Sequence, residues 1–177
     1  MPTQTHGRLP PELLQKFPSM SPVERLNALL SNKAPNDQRF TSQFLESECK
    51  LHDFKQLSPK SALVTFAFKV SRNYCNVSGN LHGGAQAAFF DLCTSLALMS
   101  IGQPDSWLNG GVSRSLNVTY LRPAPEGEEL IMECEIVSMG KSLALTKGRL
   151  MRESDRGVIS TCDHDKAFVP SKPGWKL

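Results

Sequence analysis

The chain has 177 residues, of which 40% are apolar and 21% are charged, and it carries a formal net charge of +3. This is the composition of an ordinary globular protein, and the length suits one domain with a flexible end. The chain contains no dense block of Lys and Arg, which argues against nucleic acid as a partner. No apolar run approaches the roughly 20 residues that span a bilayer, so we expect no membrane span.

The cysteines and the two ends of the chain indicate the compartment. The five cysteines are odd in number and widely spaced, and none forms a Cys-x-x-Cys pair. This usage is typical of reduced, mostly buried thiols inside the cell, with no metal site. Glu12 and Glu24 argue against a transit peptide, and Trp175 stands where a Ser-Lys-Leu import signal for peroxisomes needs serine. We therefore expect a cytoplasmic protein, with the mitochondrion as the alternative.

Residues 1–45 are predicted to form an N-terminal extension that is partly flexible and holds one short helix. Ser21-Pro22-Val23-Glu24 is a capping box with proline at the first helical position, so a helix is expected to begin there. Its apolar residues recur on one face: Val23, Leu26, Leu29 and Leu30. Residues 35–37, Pro-Asn-Asp, are expected to end this helix. Residues 40–49 fit either a helix or the approach to a strand.

From residue 61 onward the pattern changes to that of a strand and then to that of a helix. Apolar residues alternate with others over residues 62–70, which predicts a strand. Residues 83–100 then show helical spacing. The predicted buried stripe of this helix consists of Ala85, Ala88, Phe89, Leu92, Leu96 and Met99. Asp91 lies on a neighbouring face of small, semi-polar residues that suits a ligand or another surface. The other members of that face are Gly84, Ala87, Thr94, Ser95 and Leu98.

Four further strands are predicted in quick succession, over residues 111–121, 129–138, 142–153 and 157–169. The breaks between them are short enough for antiparallel neighbours. One long helix followed by a run of strands predicts an α+β fold, with the helix lying on an antiparallel sheet.

The most informative stretch is Leu81-His82-Gly83-Gly84, which opens the predicted helix. Glycine allows a ligand to approach the backbone closely, and the free N–H groups at a helix start can hold a developing oxyanion. Asp91 is the only acid further along this helix, and such a carboxylate can act as a base or a nucleophile. The combination indicates chemistry rather than packing alone.

This stretch and its surroundings resemble the hotdog-fold acyl-CoA thioesterases. In particular, they resemble the branch that includes the phenylacetyl-CoA thioesterases and the small mammalian thioesterase-superfamily proteins. It covers roughly residues 60–169 and rests on residues 76–84, Asp91, 111–113, 117–124, 140–142 and the final strand through 168. The resemblance divides the chain into the extension at 1–45, a hotdog thioesterase domain at 46–170 and a C-terminal tail at 171–177.

The resemblance implies a long central helix wrapped by a curved antiparallel sheet of about five to six strands. It also implies a homodimer or a dimer-of-dimers tetramer, with the active site at a subunit interface. Asp91 resembles the catalytic carboxylate, and Gly83 resembles the residue whose backbone N–H holds the thioester oxygen. Asn76 is similar to the residue that places the substrate carbonyl or water, His82 to the histidine that shapes the loop near the carbonyl, and Ser113 to a hydroxyl contributed across the dimer. From the residues alone, Asn76 could be a turn residue, His82 a structural histidine and Ser113 part of a solvated strand edge.

Contacts with coenzyme A are expected from four further residues: Gly84, Arg122, Lys141 and Ser142. Arg122 and Lys141 lie where strands end and loops begin, which suits phosphate groups, although plain surface charge explains both equally well. Coenzyme A would be part of the substrate, so we expect no separate cofactor and no metal.

The expected function is hydrolysis of acyl-CoA thioesters to a free acid and coenzyme A, with Asp91 as general base or nucleophile. The main alternative is a non-catalytic hotdog protein that binds acyl-CoA. Asp91 and Asn76 argue against that alternative, because a pure binder needs neither. An enoyl-CoA hydratase would need an Asp/His pair on the loop that enters the helix, and Asp91 is the only acid near His82 on its C-terminal side.

Overall fold

The computed structural model describes residues 11–32, 39–103 and 106–170. Within these ranges the chain forms four α-helices: α1 (Pro11–Lys16), α2 (Pro22–Ser31), α3 (Phe40–Gln43) and α4 (Gly83–Ile101). It also forms six strands: β1 (Lys50–Ser58), β2 (Ser61–Lys69), β3 (Val112–Tyr120), β4 (Glu129–Met139), β5 (Leu143–Arg152) and β6 (Val158–Ala167). Short 3-10 turns lie at Phe17–Ser19 and Arg72–Tyr74, and a π-helical turn follows α3 at Phe44–Glu48.

The six strands form one antiparallel sheet in the order β1-β2-β4-β5-β6-β3, and the long helix α4 packs against it. This confirms the predicted α+β fold with a central helix and a sheet of five to six strands. It also confirms the four late strands to within a few residues. β1 and β3 are the two edge strands of the sheet.

Strand β1 was not predicted, and its geometry explains why. Leu51 and Phe54 are its only partly buried residues, and they lie three positions apart. A bulge between Leu51 and Asp53 shifts the alternation, so the two apolar side chains do not show the spacing of two that marks an ordinary strand.

Helix α2 begins as predicted. The Ser21 side chain accepts a hydrogen bond from the Glu24 backbone N–H at 3.3 Å, and the Glu24 carboxylate accepts one from the Ser21 N–H at 2.7 Å. Leu26, Leu29 and Leu30 are buried, whereas Val23 is exposed. The residues expected to end this helix, 35–37, lie outside the described residues. The open choice at residues 40–49 is resolved as helical, since α3 and the π-helical turn occupy Phe40–Glu48.

The described part of the N-terminal extension belongs to the same hydrophobic core as α4. Phe17, Leu26 and Phe44 are fully buried, and the Phe44 ring stacks on the Phe89 ring of α4 with centroids 3.7 Å apart. A boundary at residue 45 therefore does not coincide with a boundary in the packing. Residues 1–10 and the tail at 171–177 lie outside the described residues.

The burial of α4 differs from the predicted single stripe. Buried side chains lie on most of its circumference, because the sheet covers one side of it and the N-terminal helices pack on another. The buried residues include Ala85, Phe89, Phe90, Cys93, Thr94, Leu96, Ala97, Leu98 and Ile101. Ala88, Leu92 and Met99, expected in the core, instead share the half-exposed face with Asp91 and Ser95. At 19 residues α4 has the length and apolarity of a membrane-crossing helix, but most of it is buried inside this fold, which makes that weak evidence for a span.

Close approach of helix and sheet depends on a glycine at the centre of β5. A Cβ atom at Gly148 would overlap the ring of Phe90, which is fully buried. Gly148 therefore lets α4 sit close to the sheet, and this fixes the height of Asp91 above the strands.

Candidate active site

The start of α4 is built around His82, its N-cap residue. The Nδ1 atom of His82 accepts a hydrogen bond from the Gly84 backbone N–H at 2.9 Å. A neutral ring that accepts at Nδ1 carries its proton on Nε2, so the exposed edge of His82 is a hydrogen-bond donor. The preceding backbone is anchored by bonds from His82 N–H to the Tyr74 carbonyl and from Leu81 N–H to the Ala124 carbonyl, both 2.8 Å.

Gly83 is the first residue of α4, and its N–H has no acceptor among the residues that the structure describes. The Tyr120 hydroxyl donates to the Gly83 carbonyl at 2.9 Å, and a Cβ at Gly83 would lie 3.3 Å from the Tyr120 ring. The Gly83 N–H therefore combines an unsatisfied donor with the positive end of the helix dipole. That is the arrangement an anion or a developing oxyanion requires.

Asn76 lies in an exposed loop upstream of α4. Its Oδ1 atom accepts hydrogen bonds from the N–H groups of Ser78 and Asn80, at 3.0 and 3.2 Å. These bonds close a tight loop that includes Gly79 at a φ of +73°, a value that favours glycine. The side-chain oxygen of Asn76 is thus committed to the loop, and its amide Nδ2 is the group left to donate to a ligand.

Asp91 lies on the half-exposed face of α4, two turns beyond Gly83. Its Oδ1 atom accepts a hydrogen bond from the Ser113 hydroxyl at 2.5 Å. The Nε2 atom of His164 lies 2.9 Å from Ser113 Oγ and 3.3 Å from the same Asp91 oxygen. The Asp91 side chain is 43% exposed, so a fixed carboxylate meets solvent here.

A bulge in β3 brings Ser113 to this position. The alternation of β3 shifts between Ser113 and Ser115. Beyond the shift, Leu116 and Val118 pack against the core, whereas Ser115 is exposed. Strict alternation would place Ser113 on the outward face with Ser115, and the bulge turns it towards α4 instead.

His164, on β6, is fully buried, and its hydrogen bonds fix where its proton lies. Thr94 Oγ1 donates to the Phe90 carbonyl at 2.6 Å, so it can only accept from His164 Nδ1, which lies 2.7 Å away. Burial, with the positive charge of Lys166 as a second cause, lowers the pKa of His164 to about 4. The neutral ring therefore turns an unprotonated Nε2 towards Ser113.

Lys166 completes the cluster two residues further along β6. It is 2% exposed, and its Nζ atom donates to Ser95 Oγ at 2.7 Å and to Ser113 Oγ at 3.4 Å. Burial lowers the pKa of Lys166, and the negative charge of Asp91 partly offsets this effect. Asp91 thus has one direct donor, the Ser113 hydroxyl, and an ammonium group behind that hydroxyl.

The structure brings some of the sequence-predicted residues together and keeps others apart. Ser113 bonds to Asp91 of its own chain, although the resemblance implied a hydroxyl from across a dimer. Gly83 and Asp91 lie eight positions apart on one helix, which corresponds to about 12 Å along its axis. Within a single chain, the N–H of Gly83 and the carboxylate of Asp91 cannot reach the same carbonyl group.

The four residues expected to contact coenzyme A lie outside the Asp91 cluster. The Gly84 N–H is occupied by His82, and Ser142 accepts the Phe168 N–H through its carbonyl at 2.9 Å. Arg122 is exposed and donates to the Val158 carbonyl at 2.6 Å, and Lys141 is also exposed. Among the described residues, no group of three or more His, Cys, Asp and Glu side chains is placed to hold a metal ion.

The sequence reasoning missed three residues of the site: His164, Lys166 and Tyr120. The signal for the first two was present in the last strand. A spacing of two places His164 and Lys166 on the same face of β6 as the buried Ser160 and Cys162. Polar residues on the core face of a strand need partners there, and the polar face of α4 is the nearest source.

Comparisons with known proteins agree with this fold. The family model described as "Thioesterase superfamily" matches residues 78–159. Acyl-coenzyme A thioesterase 13 of Mus musculus is 32% identical over 126 residues, which cover 66% of this chain and 86% of that protein. The crystal structure of thioesterase superfamily member 2 from the same organism is 26% identical. It superposes with a TM-score of 0.66 and covers 85% of this chain and 99% of its own.

A further match is to a protein whose structure was solved with a bound ligand. A Streptococcus mutans protein solved bound to acetyl CoA is 15% identical to this chain. Its TM-score is 0.59, with 78% of this chain and 98% of that one covered. At this identity the match shows the fold alone. The family model, the mouse relative and the shared architecture together give one conclusion: the chain belongs to the thioesterase superfamily of hotdog-fold proteins.

Proposed function

We propose that this protein hydrolyses acyl-CoA thioesters to a free acid and coenzyme A, with Asp91 as the general base. The observation that carries the proposal is the solvent-facing carboxylate of Asp91, which accepts a hydrogen bond from Ser113 and is the only charged side chain of α4. The substrate class is supported by the mouse relative, whose name is acyl-coenzyme A thioesterase 13.

The hydrogen bonds around Asp91 favour a proton acceptor. Ser113 has a single hydroxyl proton, and two acceptors compete for it: Asp91 Oδ1 at 2.5 Å and His164 Nε2 at 2.9 Å. If the cluster takes up one more proton, both acceptors can take part in a hydrogen bond with Ser113. If Asp91 takes a proton from water, the carboxylic acid can donate to Ser113 Oγ while the Ser113 proton turns to His164.

In this reaction a water molecule attacks the thioester carbon while its proton passes to Asp91. The carbonyl oxygen becomes an oxyanion, which the Gly83 N–H and the dipole of α4 stabilise. The Nδ2 group of Asn76 and the Nε2–H of His82 are further donors near the same helix start. The C–S bond then breaks, and coenzyme A leaves as a thiolate that takes up the proton held by Asp91, which restores the carboxylate. A direct attack by the Asp91 carboxylate, with an anhydride intermediate, is the alternative route.

The distance between Gly83 and Asp91 requires that a complete site combine two copies of the chain. Two surfaces favour such a dimer. β3 is an edge strand whose outer side pairs with no strand in the described part of the chain, and Val112, Tyr120 and Leu121 are exposed on it or just beyond it. The half-exposed face of α4 next to it carries Leu92 and Met99 beside Asp91. Apolar side chains in this position favour burial against a second copy.

A protein that only binds acyl-CoA would not need this cluster. Burying a histidine and a lysine beside a fixed carboxylate costs desolvation free energy. The competition of Asp91 and His164 for the Ser113 proton does nothing to increase affinity for a thioester. The cluster therefore favours the enzyme over the non-catalytic alternative.

The test is release of free thiol from a panel of acyl-CoAs of different chain length and from phenylacetyl-CoA. Asp91→Asn keeps the size of the side chain and removes the base, so we expect turnover to fall by at least about 10²-fold while acyl-CoA still binds. Asp163→Asn is the matched control, because Asp163 is an exposed carboxylate paired with Lys147 on β5. Full turnover by Asp91→Asn would remove Asp91 from the mechanism, and no turnover by the wild type on any substrate would favour the binding protein.

A further inference from the structure

Lys166 is a buried cation with a restricted set of partners. Its Nζ atom can only donate, and it donates to the hydroxyl oxygens of Ser95 and Ser113. Each of these serines has one proton left to give. Ser95 donates its proton to the Asp91 backbone carbonyl at 2.6 Å, and Ser113 donates to the Asp91 carboxylate.

The charges that face Lys166 are few. α4 contributes Asp91, and β6 itself contributes His164, which is neutral around pH 7. On β3, Arg114 is paired with Asp165 at 3.0 Å. On β5, the residue opposite Lys166 is Ala144, and its neighbours are Leu143 and Leu145. The other carboxylate on β6, Asp163, is paired with Lys147 of β5. Asp91 is therefore the one carboxylate on these four elements that is not already paired with an arginine or with another lysine.

We propose that Lys166 is a positioning residue for the catalytic carboxylate: its ammonium group balances the charge of Asp91 and, by donating to the hydroxyl oxygens of Ser95 and Ser113, leaves the proton of each hydroxyl free to be donated. This inference rests on the proposed function. Lys166 itself is buried behind the two serines and does not touch the substrate. Its effect reaches the reaction through the charge state and orientation of Asp91.

The energetic argument is reciprocal. The negative charge of Asp91 raises the pKa of Lys166 against the larger effect of burial. The attraction between two opposite charges acts on both of them, so replacing the ammonium group with a neutral side chain removes the nearest buried positive charge from the Asp91 carboxylate. Two steps of hydrogen bonding separate the charges, and little water intervenes at a residue that is 2% exposed.

The first experiment measures kcat/KM for an acyl-CoA between pH 5 and 9 in the wild type and in Lys166→Met. Methionine has a similar length and no charge. We expect the acidic limb of the profile to move to higher pH by about one unit, while the rate on the alkaline plateau changes far less. Lys166→Arg keeps the positive charge and should return the acidic limb of the profile to its wild-type pH. Lys147→Met is the matched control, because Lys147 is exposed and paired with Asp163 on neighbouring strands.

The second experiment does not depend on turnover, and it still tests the inference if the Lys166→Met protein does not fold. The titration of the Lys166 side chain is followed by NMR in the wild type and in Asp91→Asn. Loss of the carboxylate charge should move the Lys166 titration to lower pH by about one unit.

Two results would overturn the inference: a Lys166→Met enzyme that loses rate equally at every pH, or a Lys166 titration that does not move in Asp91→Asn. Failure of the proposed function is distinguishable from either. It would appear as a wild type without thiol release, and the NMR titration would still report whether the two charges interact.

Discussion

His164 is a titratable ring with no exposed surface, and its neighbours explain why it stays neutral. Burial, followed by the positive charge of Lys166, lowers the pKa of His164 to about 4. An unfolded chain would titrate the same ring near 6.5. Below that pH the unfolded state binds a proton that the folded state does not take up. The stability that His164 contributes is therefore complete above about pH 6.5 and is lost as the pH falls towards 4.

This linkage gives the first prediction at the scale of the residue. Across the window from about pH 6.5 to 4, the free energy of unfolding should fall by up to about 1.4 kcal/mol per pH unit on account of His164. Denaturant unfolding at several pH values in the wild type and in His164→Gln measures this, since the variant should lose that part of the slope. His52→Gln, which changes an exposed histidine on β1, should leave the slope unchanged. An equal slope in wild type and His164→Gln would mean that the ring is not held neutral.

The residues of the site differ in how well the sequence reveals them. Asp91 and Gly83 are identifiable because glycine at a helix start and a carboxylate on an apolar helix are local patterns. The partnership of Ser113 with Asp91 is not local, because it depends on a bulge in β3 that reverses the face of Ser113. His164 and Lys166 can be found from the sequence only if polar residues on the core face of the last strand are assumed to point towards the helix.

At the scale of the secondary-structure element, the connection between α2 and α4 is the least expected. Arg25 of α2 is buried, and its guanidinium donates to the Ser100 and Gly102 carbonyls at 3.3 and 2.6 Å and to the Phe17 carbonyl at 2.8 Å. The last carbonyls of a helix have no partners within the helix, so Arg25 caps α4 from a segment expected to lie outside the core.

The second prediction concerns this cap. Arg25→Met should lower the free energy of unfolding by about 3 kcal/mol, because it leaves buried carbonyls without charge-assisted hydrogen bonds. Urea unfolding checks the value. Arg72→Met is the control, since the Arg72 side chain is 85% exposed and its ion pair with Glu126 should contribute under about 1 kcal/mol. A loss below 1 kcal/mol in Arg25→Met would mean that this cap contributes little and that the N-terminal segment is held by its apolar contacts alone.

The elements themselves show where pattern reading succeeds. The capping box at Ser21 and the alternation of β2 are short-range signals, and both elements form where they were predicted. The half-exposed face of α4 could not be located in this way. A helix enclosed by a curved sheet is apolar on most sides, and which narrow strip stays open depends on the curvature of strands far away in sequence.

At the scale of the whole molecule, the proposed site needs two copies of the chain, because Gly83 and Asp91 lie about 12 Å apart along α4. In a symmetric dimer the Gly83 of one copy would act together with the Asp91 of the other, and each pair of chains would contain two such sites.

The third prediction uses the fact that the two groups of one site would come from different chains. It needs a variant that removes only the Gly83 N–H. Proline is suitable because Gly83 is the first helical residue and His82 before it is extended, with ψ at 138°.

Asp91→Asn and Gly83→Pro should each be inactive alone, and a mixture of the two chains should recover activity. After random exchange of subunits, half of the dimers are mixed, and each mixed dimer has one site with both native groups. Thiol release should therefore return to about a quarter of the wild-type rate. Gly83→Ala retains the N–H and tests whether the contact with Tyr120 at 3.3 Å, rather than the donor, accounts for the loss. A mixture that stays inactive although its subunits exchange would require Gly83 and Asp91 to act in separate places, and the oxyanion donor would then have to come from elsewhere near Asp91.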